Sequence, residues 1–509
     1  MSSTIEKKVA DLEGLNLLTE RVDDIPLLLE TMKRMGLHEV LDNHIAEHWK
    51  QRTLSWGWTG LIWLGYILSE GDHRKASMEE YIKGTKITIS ELTSQTIDDK
   101  DFLDDRLSNF LSYLSKPEVW HGIENELNER TISVYELPQE IVRCDATTVS
   151  GYHEVTENRL FQFGHSKDDA SLPQIKVMSG ALDPLGMPLA TEVLPGQRAD
   201  DGLYIPLIKR IDESLDKKGL IYVGDCKISA FDNRLYIRGN ENHYICPLSQ
   251  VGKTAEEMEN WIRDGIIKDK EGNLRPVSIT NDKGEEVLLV KGYEFERAQA
   301  GKLNKKEVQW NERVLIVNSP SHAHQQEKGL ERRLETAMEK LNGLTPERGK
   351  GKKQITDEGE LTERIEKILK KHKVEGLVIF NYDKEVERQE KYVGKGRGAK
   401  NREKTVVERI RYQITKVTRD EEKIKEEKER CGWKAFVTDV PVSRLSFSDI
   451  IKCYRQEYRV ERIFNRLKSR LNISPLFVKK EDQIQGLTNL LNLAVRVGRI
   501  YEFGGEQLL

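Results

Sequence analysis

The sequence predicts an α/β protein: a mixed-sheet core, preceded by an all-α N-terminal region and interrupted by a β-rich and helical insertion. Three observations predict this. Apolar residues recur at helical spacing through the first 135 positions. A β-β-β-α-β pattern follows between about 141 and 225. A charged stretch then runs to about 430, after which apolar periodicity returns. The expected divisions are 1–135, 136–235, 236–430 and 431–509.

Within the first division, segments 25–35, 40–48, 54–68 and 119–127 have helix-like apolar spacing, with Gly36 and Gly71 at helix ends. Trp56, Trp58 and Trp63 read as core of the third helix. In the second division, 141–145, 175–182 and 189–194 read as strands, the last two joined by the turn Asp183-Pro184-Leu185-Gly186. A helix over 201–215 leads to 219–225, a nearly continuous apolar run expected of a fully buried strand.

The third division suggests strands at 277–280, 286–293, 308–317, 376–382 and 411–417, and charged helices at 324–342 and 356–372. Segment 419–430 has eleven charged residues in twelve, the pattern of a solvated helix face. Glycine and lysine cluster at 348–353 and 394–400, which read as loops, the second a basic one suited to touching DNA. It has no Gly-Lys-Ser/Thr ending, so ATP is not implied. In the last division 433–437 is a strand candidate. Ser446 or Ser448 can cap a helix over 449–471, and a final helix covers 484–501.

Bulk properties exclude several classes. The net charge is −4 across 509 residues, so the chain is not a uniformly basic coat for nucleic acid; any basic surface must be local. Five cysteines, Cys144, Cys226, Cys246, Cys431 and Cys453, form no C-x-x-C pair, which favours free thiols in a reducing cytoplasm. The first residues lack an apolar signal region. The longest uncharged apolar run, 54–68, is 15 residues, short of the ~20 that a membrane span needs.

Two aspartates stand out. Asp145 lies inside an apolar strand and Asp225 ends another. A charge there is costly unless paired or metal-bound. Two such carboxylates on neighbouring strands would repel without a cation between them. Oxygen-only ligands suit Mg²⁺ or Mn²⁺ rather than zinc. Singly, each Asp could also cap a turn or pair with a basic side chain.

A third carboxylate comes from the helix expected at 449–471. Val460, Ile463, Phe464 and Leu467 form its apolar stripe. Tyr454, Glu461 and Lys468 are seven apart and would share another face; Arg455, Arg459, Arg462 and Arg466 form a basic stripe. Between Ile451 and Asp482, Lys and Arg outnumber Asp and Glu by nine to four, a local excess suited to phosphates. The bland alternative is a surface helix laced with ion pairs.

This Tyr…Glu…Lys helix downstream of two strand aspartates resembles the signature helix of insertion-sequence DDE transposases. The resemblance extends through Phe163-Gly164-His165-Ser166-Lys167-Asp168, Leu182-Asp183-Pro184-Leu185-Gly186, Tyr222-Val223-Gly224-Asp225-Cys226-Lys227 and Ser474-Pro475-Leu476-Phe477-Val478, covering about 20–500. It implies an RNase H-like core shared with retroviral integrases. It also implies a catalytic triad of Asp145, Asp225 and Glu461 holding two Mg²⁺ ions (Mn²⁺ possible). The expected DNA contacts are Tyr454, Arg455, Arg459 and Lys468. The common helix pattern has Arg three residues after the Tyr, where this chain has Glu457.

The implied activity is metal-dependent cleavage at transposon ends, then strand transfer of the 3′ hydroxyl into target DNA. The implied partners are double-stranded DNA (terminal inverted repeats, bound by the N-terminal helices, and target DNA) and a second copy in a DNA-bound homodimer, with no membrane and no ATP. The expected setting is the cytoplasm of a bacterial or archaeal cell, at the nucleoid when bound. The spacing of 236 from Asp225 to Glu461 leaves room for an insertion domain. Two rivals are a metal-dependent nuclease on the same fold and a transposase-derived DNA-binding protein without catalysis. His44-Ile45-Ala46-Glu47-His48 matches a zinc-peptidase pattern, but no third ligand is evident. His322-Ala323-His324 is weaker still.

Overall fold

The computed structural model describes residues 11–12, 15–16, 19–47, 54–166, 169–281, 283–349, 351–393 and 404–507. The chain divides into two compact units. One comprises Met1–Ser249, Glu296–Arg313 and Val437–Leu509; the other comprises Gln250–Phe295 and Val314–Phe436.

The first unit opens with six helices: α1 Ile25–Arg34, α2 Leu37–His44, α3 Trp56–Glu70, α4 Lys75–Thr93, α5 Asp104–Leu114 and α6 Pro117–Val134. Gly36 and Gly71 both sit at helix ends with φ near +65° and +63°, a conformation that costs a side chain strain. The long apolar run becomes α3. The Ser55 hydroxyl accepts from Trp58 N, and Trp56 and Trp63 are buried. Trp58 is half-buried and stacks on His38. No helix among the described residues is long and apolar enough to cross a membrane.

Strands β1 Ile141–Ser150, β2 Gln174–Leu182 and β3 Met187–Pro195 follow, then α7 Tyr204–Leu215, β4 Ile221–Gly224, α8 Phe231–Gly239 and β5 His243–Pro247. They lie in the order β3-β2-β1-β4-β5. The β1–β2 and β2–β3 pairs are antiparallel; β1–β4 and β4–β5 are parallel. Every residue of β2 and β4 is buried, as expected of strands covered on both faces. The turn after β2 closes with Gly186 N donating to Leu182 O at 2.8 Å, and Gly186 has φ +68°. Strand β5 was left unassigned by sequence pattern.

The second unit holds α9 Gly252–Lys270, β6 Arg275–Thr280, α10 Pro320–Asn342, α11 Glu358–His372, β9 Val378–Tyr392, β10 Lys404–Arg419 and α12 Glu421–Glu429. Strands β7 Glu286–Leu303, β8 Lys306–Asn318 and β11 Trp433–Thr438 have residues in both units. Leu330, Leu334 and Leu341 of α10 pack with Leu361, Ile365 and Leu369 of α11, Tyr412 of β10 and Ile424 of α12. Ile424 is the buried residue of the charged segment, which is otherwise a polar helix. Strands β9 and β10 form an antiparallel ribbon longer than expected, paired out to Tyr392 and Lys404. The basic loop 394–400 lies outside the described residues, as does Lys350 of the loop 348–353.

The chain ends in the first unit with α13 Phe447–Arg455, α14 Tyr458–Asn465, a π-turn Arg466–Arg470 and α15 Glu481–Gln507. Helix α15 crosses α5 so closely that a Cβ at Gly486 would sit 2.0 Å from Leu111 O. Backbone cannot yield as a side chain can, so Gly486→Ala is expected to cost ~1–3 kcal/mol. A lower denaturation midpoint in urea would show it; an unchanged midpoint would refute the close packing.

The single helix expected over 449–471 is not formed. It breaks at Gln456 and Glu457 and ends in a π-turn. In an unbroken helix the Cys453 carbonyl would receive Glu457 N. Instead Glu457 N donates to Tyr454 O at 2.9 Å, while Cys453 O receives Gln456 N and the Arg143 guanidinium. Spacing by sevens therefore no longer places Tyr454, Glu461 and Lys468 on one face.

Candidate active site

The period-two pleat of β1 sends Arg143, Asp145 and Thr147 to one face and Cys144 to the other. A Cβ at Gly180 on β2 would lie 3.7 Å from Cys144 Sγ and 2.3 Å from Ile211 of α7, so the Cys144 face is the one α7 covers. Register sets the aspartates. Cys144 pairs with Gly224 across the parallel β1–β4 ladder. Asp145 and Asp225 are the residues directly after this pair, and neighbouring strands lie about 4.8 Å apart. Two half-buried carboxylates thus stand side by side where β4 ends.

Local hydrogen bonds orient both. Ala146 N donates to Asp145 Oδ1 at 2.7 Å. Asp225 Oδ1 accepts from Lys227 N and from the Tyr204 hydroxyl, each at 2.8 Å. Burial, and then the charges of Asp225 and Asp145, raise the Tyr204 phenol well above its ordinary value. It therefore stays a donor at any physiological pH. Burial and Asp225 likewise raise the Cys226 thiol, so it is a neutral neighbour rather than a nucleophile. Tyr204 was invisible to sequence reasoning: nothing local marks a tyrosine at a helix start as an acid's partner.

The broken helix supplies the other groups. The Ser446 hydroxyl accepts from Asp449 N and the Asp449 carboxylate accepts from Ser446 N, a capping box that starts α13 at Phe447. At the far end Glu457 is half-buried in the turn between α13 and α14. Burial raises its carboxyl; the hydrogen bond from the Tyr454 hydroxyl opposes this, and the Asp225 and Glu461 carboxylates add to it. Glu461 stands one turn further on, exposed on the outer side of α14 with Tyr458 and Arg462. The fold therefore brings together Asp145 with Asp225 and Tyr454 with Glu457, with Glu457 feeling the charges of both Asp225 and Glu461. Glu457 was visible in the sequence as a departure from the family's pattern, though not as a member of the site.

The basic stripe divides. Arg455 and Arg462 are exposed, and the Arg462 guanidinium lies 5.0 Å from the Tyr458 ring centre. Arg459 turns inward to Asp183 at 3.3 Å, and Arg466 pairs with Glu502. Lys468 is half-buried in the π-turn. Two of the quoted motif segments meet at the end of β1: Ser474 Oγ donates to Ser150 O at 2.7 Å, and the Ser150 and Ser166 hydroxyls are 3.2 Å apart. Lys167 and Asp168 of the same motif are outside the described residues. Of the zinc-like pattern, His44 is held by Glu126 at 2.9 Å, and His48 is outside the described residues. His322 pairs with Gln326 within α10.

The donor set around Asp145 and Asp225 is carboxylate oxygen, which fits a hard divalent cation. Among the described residues no three of His, Cys, Asp and Glu converge as a ready-made metal site. Fold and site together define a mixed α/β protein with a pair of aspartates at the end of two parallel strands. No family model and no curated protein matches the chain. Among solved structures, the chain is similar to the piggyBac transposase synaptic complex with hairpin DNA, determined by cryo-EM. The match covers 95% of this chain and 76% of that one, at 7% identity and a TM-score of 0.37.

Proposed function

We propose that the protein is a DDE transposase with an RNase H-like core, which cuts at transposon ends and joins the freed 3′ hydroxyl to target DNA. The observation that carries this reading is the β1–β4 register, which sets Asp145 beside Asp225. The sheet, three antiparallel strands extended by two parallel ones, fits the mixed-sheet core that the sequence motifs imply. The meeting of two of those motifs at Ser150 supports it further.

In this reading Asp145, Asp225 and Glu461 hold two Mg²⁺ ions, with Mn²⁺ able to replace them. Such ions activate water and stabilise the leaving 3′ oxygen. Tyr204 orients Asp225 by its hydrogen bond. Arg455, Lys468 and Tyr454 contact DNA, and Arg459 braces the helix through Asp183 rather than reaching for phosphate. The N-terminal helices bind the inverted repeats, and two copies pair the DNA ends. A second reading makes Glu457 the third carboxylate, favoured by its half-burial in the junction turn and by the Asp225 charge that acts on it.

The test incubates the full chain with duplex DNA from either side of its coding region, in Mg²⁺. The expected products are 3′-hydroxyl ends and their joining to a target plasmid, both abolished by EDTA. Cleavage without joining would favour a nuclease. Binding without either would favour a DNA-binding derivative. Neither binding nor cleavage would reject the proposal.

A further inference from the structure

Arg143 is 1% exposed and sits inside β1, two residues before Asp145 on the same face. A guanidinium in that position is costly unless its fork is filled. Its Nε donates to both oxygens of Asp183, at 2.9 and 2.8 Å, and its Nη2 lies 2.6 Å from Asp183 Oδ2. The same Nη2 donates to the backbone carbonyl of Cys453 at 2.9 Å. Asp183 is itself buried, in the turn after β2, and its Oδ2 also receives Arg459 of α14 at 3.3 Å. Four residues from four elements therefore meet at one buried point: β1, the β2–β3 turn, the last turn of α13 and the first turn of α14.

That point is where the helix breaks. The Cys453 carbonyl has lost its helical donor, and Arg143 supplies one of the replacements. Arg459 holds the start of the next helix to the same carboxylate. The junction cannot shift along β1 without unpairing a buried charge.

We propose that Arg143 and Asp183 are positioning residues that clamp the α13–α14 junction, and the third carboxylate with it, in register with Asp145. This rests on the proposed function, because the register matters only if those carboxylates share cations. Only a planar fork spans Asp183 and the Cys453 carbonyl together. A lysine at 143 keeps the charge but reaches one of them.

The test measures Mn²⁺ binding to the full chain by the loss of the free-ion electron paramagnetic resonance signal, beside Mn²⁺-dependent end cleavage and the melting temperature. Arg143→Lys and Asp183→Asn are expected to weaken Mn²⁺ binding about 10- to 100-fold, the range for supports one step behind metal ligands. Arg143→Lys should lose less than Arg143→Met. Cleavage should recover at raised Mn²⁺, a recovery that unfolding alone does not give. If Arg143→Lys fails to fold, Arg459→Met breaks the outer arm of the clamp and is expected to weaken binding in the same direction. Folded variants that bind Mn²⁺ as the wild type does would overturn the clamp and leave the proposed function standing. A wild-type chain that neither binds Mn²⁺ nor cuts DNA would overturn both.

Discussion

Asp225→Asn is expected to lower metal-dependent end cleavage by at least ~10²–10³-fold while leaving the fold and DNA binding intact. The magnitude is that of removing one preorganised charge-stabilising group, which in the proposed function is a ligand of the cation that would activate water. The fold survives because the substitution is isosteric. Both hydrogen bonds to Asp225 fall on Oδ1, from Tyr204 and Lys227 N, and an amide oxygen accepts them as well. What disappears is the negative charge beside Asp145. Single-turnover cleavage in Mg²⁺, with circular dichroism as the folding control, measures the effect. Glu461→Gln should match it if Glu461 is the third ligand. Were Glu457→Gln the dead variant instead, the junction turn would supply that ligand. Cleavage by Asp225→Asn at the wild-type rate would sink the site altogether.

Glu312→Leu is expected to destabilise the first unit by about 3–5 kcal/mol, the cost of removing one member of a buried ion pair. Glu312 is fully buried. It pairs with the Arg234 guanidinium, and accepts from Arg297 Nε at 2.6 Å, the Tyr244 hydroxyl at 2.7 Å and Gln299 at 3.1 Å. Leucine would leave two arginines facing an apolar side chain. The same network has a pH signature. Burial pushes the Glu312 carboxyl up, but Arg234 and Arg297 outweigh it and hold it below its usual value of 4.5. A depressed folded value adds stability that is fully present above 4.5 and is lost as pH falls through the folded value. Wild-type stability should therefore drop in acid more steeply than that of Glu312→Leu. Equal slopes, or a loss under ~1 kcal/mol in urea unfolding, would contradict the buried pair. Arg234 belongs to α8, which follows Asp225, so the network also steadies the element behind the site.

How much of this was legible depended on the range of the forces involved. Helix α3 was readable because its apolar run is contiguous and Gly71 stands at its end. Strand β4, with Asp225 directly after it, was readable because a short, wholly apolar run has few other uses. The distal halves of β9 and β10 were missed because their stabilising pairs, such as Arg388 with Glu408, lie across the ribbon and not along the chain.

The helix carrying Glu461 is the instructive failure. Its apolar stripe and its seven-residue spacings argued for one continuous helix, and local propensity offers nothing against that. The break at Gln456 and Glu457 arises where Arg143, 310 positions away in sequence, takes the Cys453 carbonyl. Local pattern alone sufficed to name Asp145, Asp225 and the apolar elements behind them, because hydrophobic periodicity is written in neighbouring residues. Placing the two aspartates level, turning Arg459 inward and burying Glu457 in the junction turn was left to the tertiary structure. Strand register and buried ion pairs join residues that the chain keeps far apart, and only the closed fold brings them within hydrogen-bonding distance.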